Sequence, residues 1–130
     1  LAFGADAVLL CAGCSDPLYR KAIRSSMAAT LRVPFAVAED FETLRAALQG
    51  ADFRIAALCT GADAVPLPVP GAALPERVAL VLGSEADGLP AALRAAADER
   101  LRIPMAAGVD SLNIATACGI ALHHFARGVS

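Results

Sequence analysis

Apolar residues in this chain come in short continuous runs, not in alternation with polar ones. Ala5 to Cys11 (ADAVLLC) is such a run, bounded by Gly4 and Gly13, and it predicts a strand buried on both faces. Val33 to Ala38, Phe53 to Thr60 (FRIAALCT), Arg77 to Leu82 and Arg100 to Ile103 predict further strands. Helical segments fall between them. Asp16 offers a capping carboxylate with Pro17 at the first helical position, for a helix running to about Thr30. Glu39 to Gln49 predicts a second helix that stops at Gly50, Pro90 to Ala97 a short third, and Asp110 to Arg127 a long fourth. Pro66, Pro68, Pro70 and Pro75 mark Gly61 to Pro75 as a loop. Strand-like sequence on both sides of it implies one continuous core.

Strands alternating with helices in this way define an α/β protein, a parallel sheet flanked by helices on both faces. Sheets of this kind take ligands at the loops beyond the carboxyl ends of their strands. The chain's 130 residues suit one domain. With 57% hydrophobic and 18% charged residues, and a mean hydropathy of +0.58, disorder is excluded. A membrane span is not expected, because the richest apolar stretch, Ile114 to Phe125, is broken by Thr116, Gly119, His123 and His124. Cys11, Cys14, Cys59 and Cys118 do not make a disulfide framework, and a reducing cytoplasm is the expected location. A net charge of −2 gives no sign of a broad basic surface. The chain opens on Leu1, inside what reads as a helix-to-strand transition, so it is expected to be a piece of something longer.

Two stretches carry candidate chemistry. In VLGSEADGLP, Val81 to Pro90, Gly83 and Gly88 flank Ser84, Glu85 and Asp87 directly after an apolar strand. The glycine spacing is that of a phosphate-cradling loop, but Leu89 stands where that loop needs lysine, and the dinucleotide fingerprint also fails. A turn that merely joins strand to helix fits the same residues. In RIPMAAGVDSLNIATACGIAL, Arg102 to Leu122, Asp110 or Ser111 can cap the last helix. Ser111 and Asn113 also set polar groups beside backbone N–H groups at that helix start, which suits either a ligand or an ordinary cap.

Taken together, LGSEADGLP followed by RIPMAAGVDSLNIATA resembles motifs two and three of the SpoU/TrmH-type RNA 2′-O-ribose methyltransferases of the SPOUT superfamily. FGADAVLL and DPLYRKAIRSSMAA resemble that family's first strand and the helix after it, so the likeness extends over nearly the whole of residues 1–130. The resemblance implies an α/β-knot whose C-terminal part forms a deep trefoil knot. It also implies S-adenosyl-L-methionine as cofactor, rRNA or tRNA as partner, and methylation of a ribose 2′-OH without a metal. Carried over by position, Gly83, Ile103 and Leu112 correspond to cofactor-loop residues, with Thr60, Leu82, Pro104, Met105 and Ser111 as neighbours. Glu85, Ser111 and Asn113 match polar positions that shape the active site. Glycine allows close backbone approach to a ligand, and Ile and Leu offer an apolar seat for adenine. The family's first motif places an asparagine and an arginine just before the FGADAVLL region, and the arginine assists the ribose hydroxyl. That position precedes Leu1, so residues 1–130 alone are expected to transfer methyl groups poorly.

Other features are weaker. Cys11 and Cys14 have CxxC spacing with no second ligand pair. Of His123 and His124, one is expected to be packed and the other solvated. Arg20, Lys21, Arg24 and Arg32 surround one helix and could touch RNA phosphates, or simply form a solvated face. The last helix carries Ile114, Ala117, Cys118, Ala121, Leu122 and Phe125 on one apolar face, with Ala115 and Gly119 toward the other side. Homodimerisation through this helix is expected, in agreement with the resemblance. Two further functions stay open: a SPOUT domain that binds cofactor or RNA without catalysis, and a SPOUT enzyme that methylates a base nitrogen.

Overall fold

The computed structural model describes residues 1–67, 75–84 and 87–126. The chain divides into two compact units, one built mainly from Leu1–Leu44 and the other from Arg45–Phe125. Both belong to the α/β class, with parallel strands and helices connecting them.

In the first unit, β1 (Val8–Cys11) pairs in parallel with β2 (Phe35–Ala38), Val8 opposite Phe35 and Cys11 opposite Ala38. A parallel pair needs a crossover, which α1 (Arg20–Ser25) and a 3-10 turn at Ala29–Leu31 provide. This crossover corrects the expected helix of residues 17–30. Asp16 caps no helix; its carboxylate accepts the Leu18 amide at 2.8 Å within a tight turn, and the helix starts only at Arg20. The helix ends at Ser25 because Met27 and Ala28 take left-handed backbone angles, φ 52° and 63°. Asp40 does cap α2 (Phe41–Gly50), accepting the Thr43 amide at 2.7 Å.

The second unit holds an all-parallel sheet in the order β4-β6-β3-β5, from β3 (Arg54–Leu58), β4 (Val65–Pro66), β5 (Val78–Val81) and β6 (Glu99–Arg102). Central β3 pairs Ala56 with Leu80 on one side and with Glu99 on the other. Ile55, Ala56 and Ala57 are at most 1% exposed, the burial of consecutive residues that a sheet covered on both faces requires. Asp98 fixes the β3–β6 register: its carboxylate accepts the Ile55 amide at 2.7 Å, and its own amide donates to the Ile55 carbonyl. Short β4 lies inside the stretch expected to be only loop, pairing Val65 with Leu101; residues 68–74 of that stretch lie outside the described residues.

Helix α3 (Ala91–Ala96) precedes β6, and α4 (Ile114–Phe125) closes the unit. The expected start of the last helix is also corrected. Neither Asp110 nor Ser111 caps it; Asn113 Oδ1 accepts the amides of Ala115 at 3.0 Å and Thr116 at 3.3 Å. Its expected end at Arg127 lies outside the described residues. The apolar face read from sequence is turned inward, with Ala121 fully buried and Ile114, Ala117, Cys118, Leu122 and Phe125 half-buried. The large apolar residue that α4 exposes is Ile120, at 41%. His123 is exposed, whereas His124 packs edge-on to Phe125. No described helix is long and apolar enough to cross a membrane.

Candidate active site

A cavity of about 600 Å³ opens at the carboxyl ends of β3, β5 and β6. Parallel strands direct their following loops to one edge of the sheet, so three segments distant in sequence converge there. Leu58, Cys59 and Thr60 arrive from β3, Leu82 and Gly83 from β5, and Ile103 and Met105 from β6. Ser111, Leu112 and Asn113 close the cavity from the start of α4. Its volume lies within the range of small-molecule sites, roughly 300–1,000 Å³.

Of the candidates drawn from sequence, Thr60, Leu82, Gly83, Ile103, Met105, Ser111, Leu112 and Asn113 all line this cavity. Pro104 does not, and Glu85 lies outside the described residues. The loop after β5 folds back on itself: Ser84 and Gly88 exchange backbone hydrogen bonds of 3.2 and 3.0 Å, and the Ser84 hydroxyl accepts the Asp87 amide at 3.0 Å. Gly83 is required for this fold, because a Cβ there would overlap the backbone of Gly88 and Leu89. The chain itself thus makes one close approach to Gly83, which also lines the cavity. Gly88 supports the turn with a left-handed φ of 66°.

Asp87, Leu89, Arg94, Cys59 and Ala117 also line the cavity, and sequence reasoning did not assign them a role there. Their sequence signal is slight, since each gains meaning only when the strand ends converge. Burial pushes the Cys59 thiol up, and the nearby Arg94 guanidinium opposes this. Burial likewise raises Cys11, with Cys14 and Asp40 adding to the effect, so its thiolate is disfavoured. Among the described residues no group of three or more His, Cys, Asp or Glu could hold a metal ion. Arg20, Lys21, Arg24 and Arg32 are exposed in the first unit.

A second cleft, about 660 Å³, lies at the amino ends of β3 and β5. Its arginines are engaged: Arg54 pairs with Glu99 at 2.8 Å, and Arg77 donates to the Ala51 carbonyl while lying over the Phe53 ring.

A ligand-sized cavity at the carboxyl edge of a parallel sheet is the arrangement by which α/β proteins take small ligands. Residues 1–123 match the SpoU rRNA methylase family, and the chain belongs to it. It is 46% identical over 123 residues to an uncharacterized tRNA/rRNA methyltransferase of Mycobacterium bovis, covering 94% of this chain and 43% of that relative. The chain thus spans less than half the length of that relative. A 23S rRNA (guanosine-2′-O-)-methyltransferase of Vibrio cholerae is 42% identical over 50 residues, 38% of this chain and 20% of its own. Among solved structures, an AdoMet-bound rRNA methyltransferase from Sinorhizobium meliloti superposes with a TM-score of 0.80 at 31% identity, over 95% of this chain and 46% of that one.

Proposed function

We propose that this chain is the catalytic part of an RNA methyltransferase that binds S-adenosyl-L-methionine in the strand-end cavity and methylates a ribose 2′-OH of rRNA or tRNA. The observation that carries this reading is the convergence of both motif stretches, LGSEADGLP and RIPMAAGVDSLNIATA, on one cavity with Thr60. The residues fit the cofactor: Leu82, Ile103, Met105 and Leu112 offer an apolar seat of the size a purine needs, and the loop and helix-start backbones supply hydrogen-bonding groups. The S. meliloti and V. cholerae proteins, AdoMet-bound and guanosine-2′-O-directed respectively, support the cofactor and the ribose specificity.

When bound, the cofactor would supply an electrophilic sulfonium methyl to the ribose oxygen, the S–CH3 bond giving way to O–CH3 with S-adenosylhomocysteine as the thioether product and the hydroxyl proton passing to solvent. This chain's contribution is positioning. Gly83, Ser84 and Asp87 to Leu89 line one wall, and Ser111 and Asn113 at the start of α4 are assigned to the ribose. Glu85, in the same motif, is assigned to this polar set. Arg20, Lys21 and Arg24 are assigned to RNA phosphates. The reading includes a C-terminal trefoil knot and a homodimer, the latter using the exposed side of α4 around Ala115, Thr116 and Ile120.

The test is transfer of tritium from methyl-labelled cofactor into RNA by the full-length protein, followed by alkaline hydrolysis. Label in alkali-resistant dinucleotides is expected, because a 2′-O-methyl group blocks cleavage at that position. Label in mononucleotides would mean base methylation, and cofactor binding without transfer would mean a binding module.

A further inference from the structure

Six arginines belong to the second unit, and five of them are satisfied within it. Arg45 donates to Gln49, Arg54 pairs with Glu99, Arg77 donates to the Ala51 carbonyl, Arg100 pairs with Asp63, and Arg102 donates to the Ala64 carbonyl. Arg94 is different. It is half-buried on α3 and lines the strand-end cavity, yet no described residue accepts a hydrogen bond from its guanidinium or forms an ion pair with it. A half-buried guanidinium that faces a cavity has shed part of its hydration, and the described residues return no hydrogen bond or ion pair for it. Planar, bidentate and always charged, it is matched to a carboxylate or a phosphate. Cys59, just past the end of β3, lines the same cavity, and the Arg94 charge opposes the rise of its thiol.

We propose that Arg94 anchors the α-carboxylate of the cofactor's amino-acid tail and so makes the cavity specific for a ligand that carries it. The inference rests on the cavity being the S-adenosylmethionine site. The tail would supply the missing acceptor. Adenine would remain with the apolar wall of Leu82, Ile103 and Leu112.

The test is calorimetric binding of S-adenosylhomocysteine and of its carboxyl methyl ester, which differ in the charge of the tail. The full chain should bind the acid about ten- to a hundredfold more tightly than the ester, the range for a charge-assisted hydrogen bond. Arg94→Met, which keeps an apolar stem, should lose that factor for the acid and bind the ester as the parent does. Arg94→Lys should recover part of the preference. Equal binding of acid and ester by the parent overturns the proposal without any variant having to fold. Equal weakening of both ligands in Arg94→Met overturns it in favour of a structural role. Unchanged binding of both, with a raised KM for RNA alone, overturns it in favour of a phosphate contact. Should the parent bind neither ligand, the cofactor reading itself falls, and this inference with it.

Discussion

Asn113 stands at the meeting point of folding and chemistry, and its two roles can be separated by substitution. Its Oδ1 accepts the first-turn amides of Ala115 and Thr116 at 3.0 and 3.3 Å, while the residue lines the cavity. Asn113→Ala removes the capping oxygen. Loss of a cap costs about 0.5–2 kcal/mol, and here the exposed amides can recover water, which places the cost at about 1 kcal/mol. For a chain of this length that corresponds to roughly 3–5 °C in apparent Tm, read by circular dichroism. Asn113→Asp keeps an oxygen in place and adds a negative charge that the helix start favours by about 0.3–1 kcal/mol, so its Tm should equal or exceed the parent's. Aspartate cannot supply the amide N–H2. In the full-length protein, methyl transfer should therefore stay low in Asn113→Asp although stability is restored. Parent-like turnover in Asn113→Asp would reduce the residue to a cap, and an unchanged Tm in Asn113→Ala would refute the capping argument.

Gly83→Ala places a Cβ against the backbone of Gly88 and Leu89, and overpacking of this kind costs about 1–3 kcal/mol, so Tm and cofactor affinity should fall together. Affinity lost at unchanged Tm would contradict the packing argument and assign the loss to a direct ligand contact. Ile55→Ala in central β3 empties a fully buried position and should destabilise the fold by about 2–5 kcal/mol in urea titration; a cost under about 1 kcal/mol would contradict its place in the core. Ile120→Glu should give a folded monomer by sedimentation, whereas Leu122→Glu, half-buried in its own chain, should unfold it; a dimer surviving Ile120→Glu removes α4's exposed side from the interface. Hydrogen bonds from the Thr43 amide and then its hydroxyl hold the Asp40 carboxyl below the ordinary 3.8. A depressed folded-state value means that this cap's contribution is complete above the unfolded value and fades as pH falls through the folded one. Asp40→Ala should thus be less stable than the parent at about pH 6, by a margin that narrows as pH falls below the ordinary carboxylate range; a constant difference would exclude the charge as the source.

Strands β1, β2, β3 and β5 were legible because each is a mainly apolar run that glycine, proline or a charged residue bounds, whereas β6 (ERLR) alternates charge with Leu101. What escaped the pattern has local physical causes. The early stop of α1 depends on left-handed backbone at Met27 and Ala28, residues that carry no sequence mark of it. Two-residue β4 is too short for any periodicity and hides among prolines. Asp110, Ser111 and Asn113 are all good caps, and only the geometry selects Asn113. The cavity's motif residues were readable from their resemblance to a family, whereas Cys59 and Arg94 sit in unremarkable apolar and alanine-rich sequence. Arg94 becomes notable only when every other arginine of its unit is seen to be paired.

The assignment of the cofactor to the strand-end cavity is tested most directly by hydrogen–deuterium exchange with and without S-adenosylmethionine. Peptides covering Leu58–Thr60, Leu82–Leu89, Ile103–Met105 and Ser111–Ala117 should slow on addition of ligand, while those covering Gln49–Arg54 and Glu76–Val78 at the opposite cleft should not. Protection confined to the opposite cleft, or no protection at saturating cofactor, would contradict the assignment.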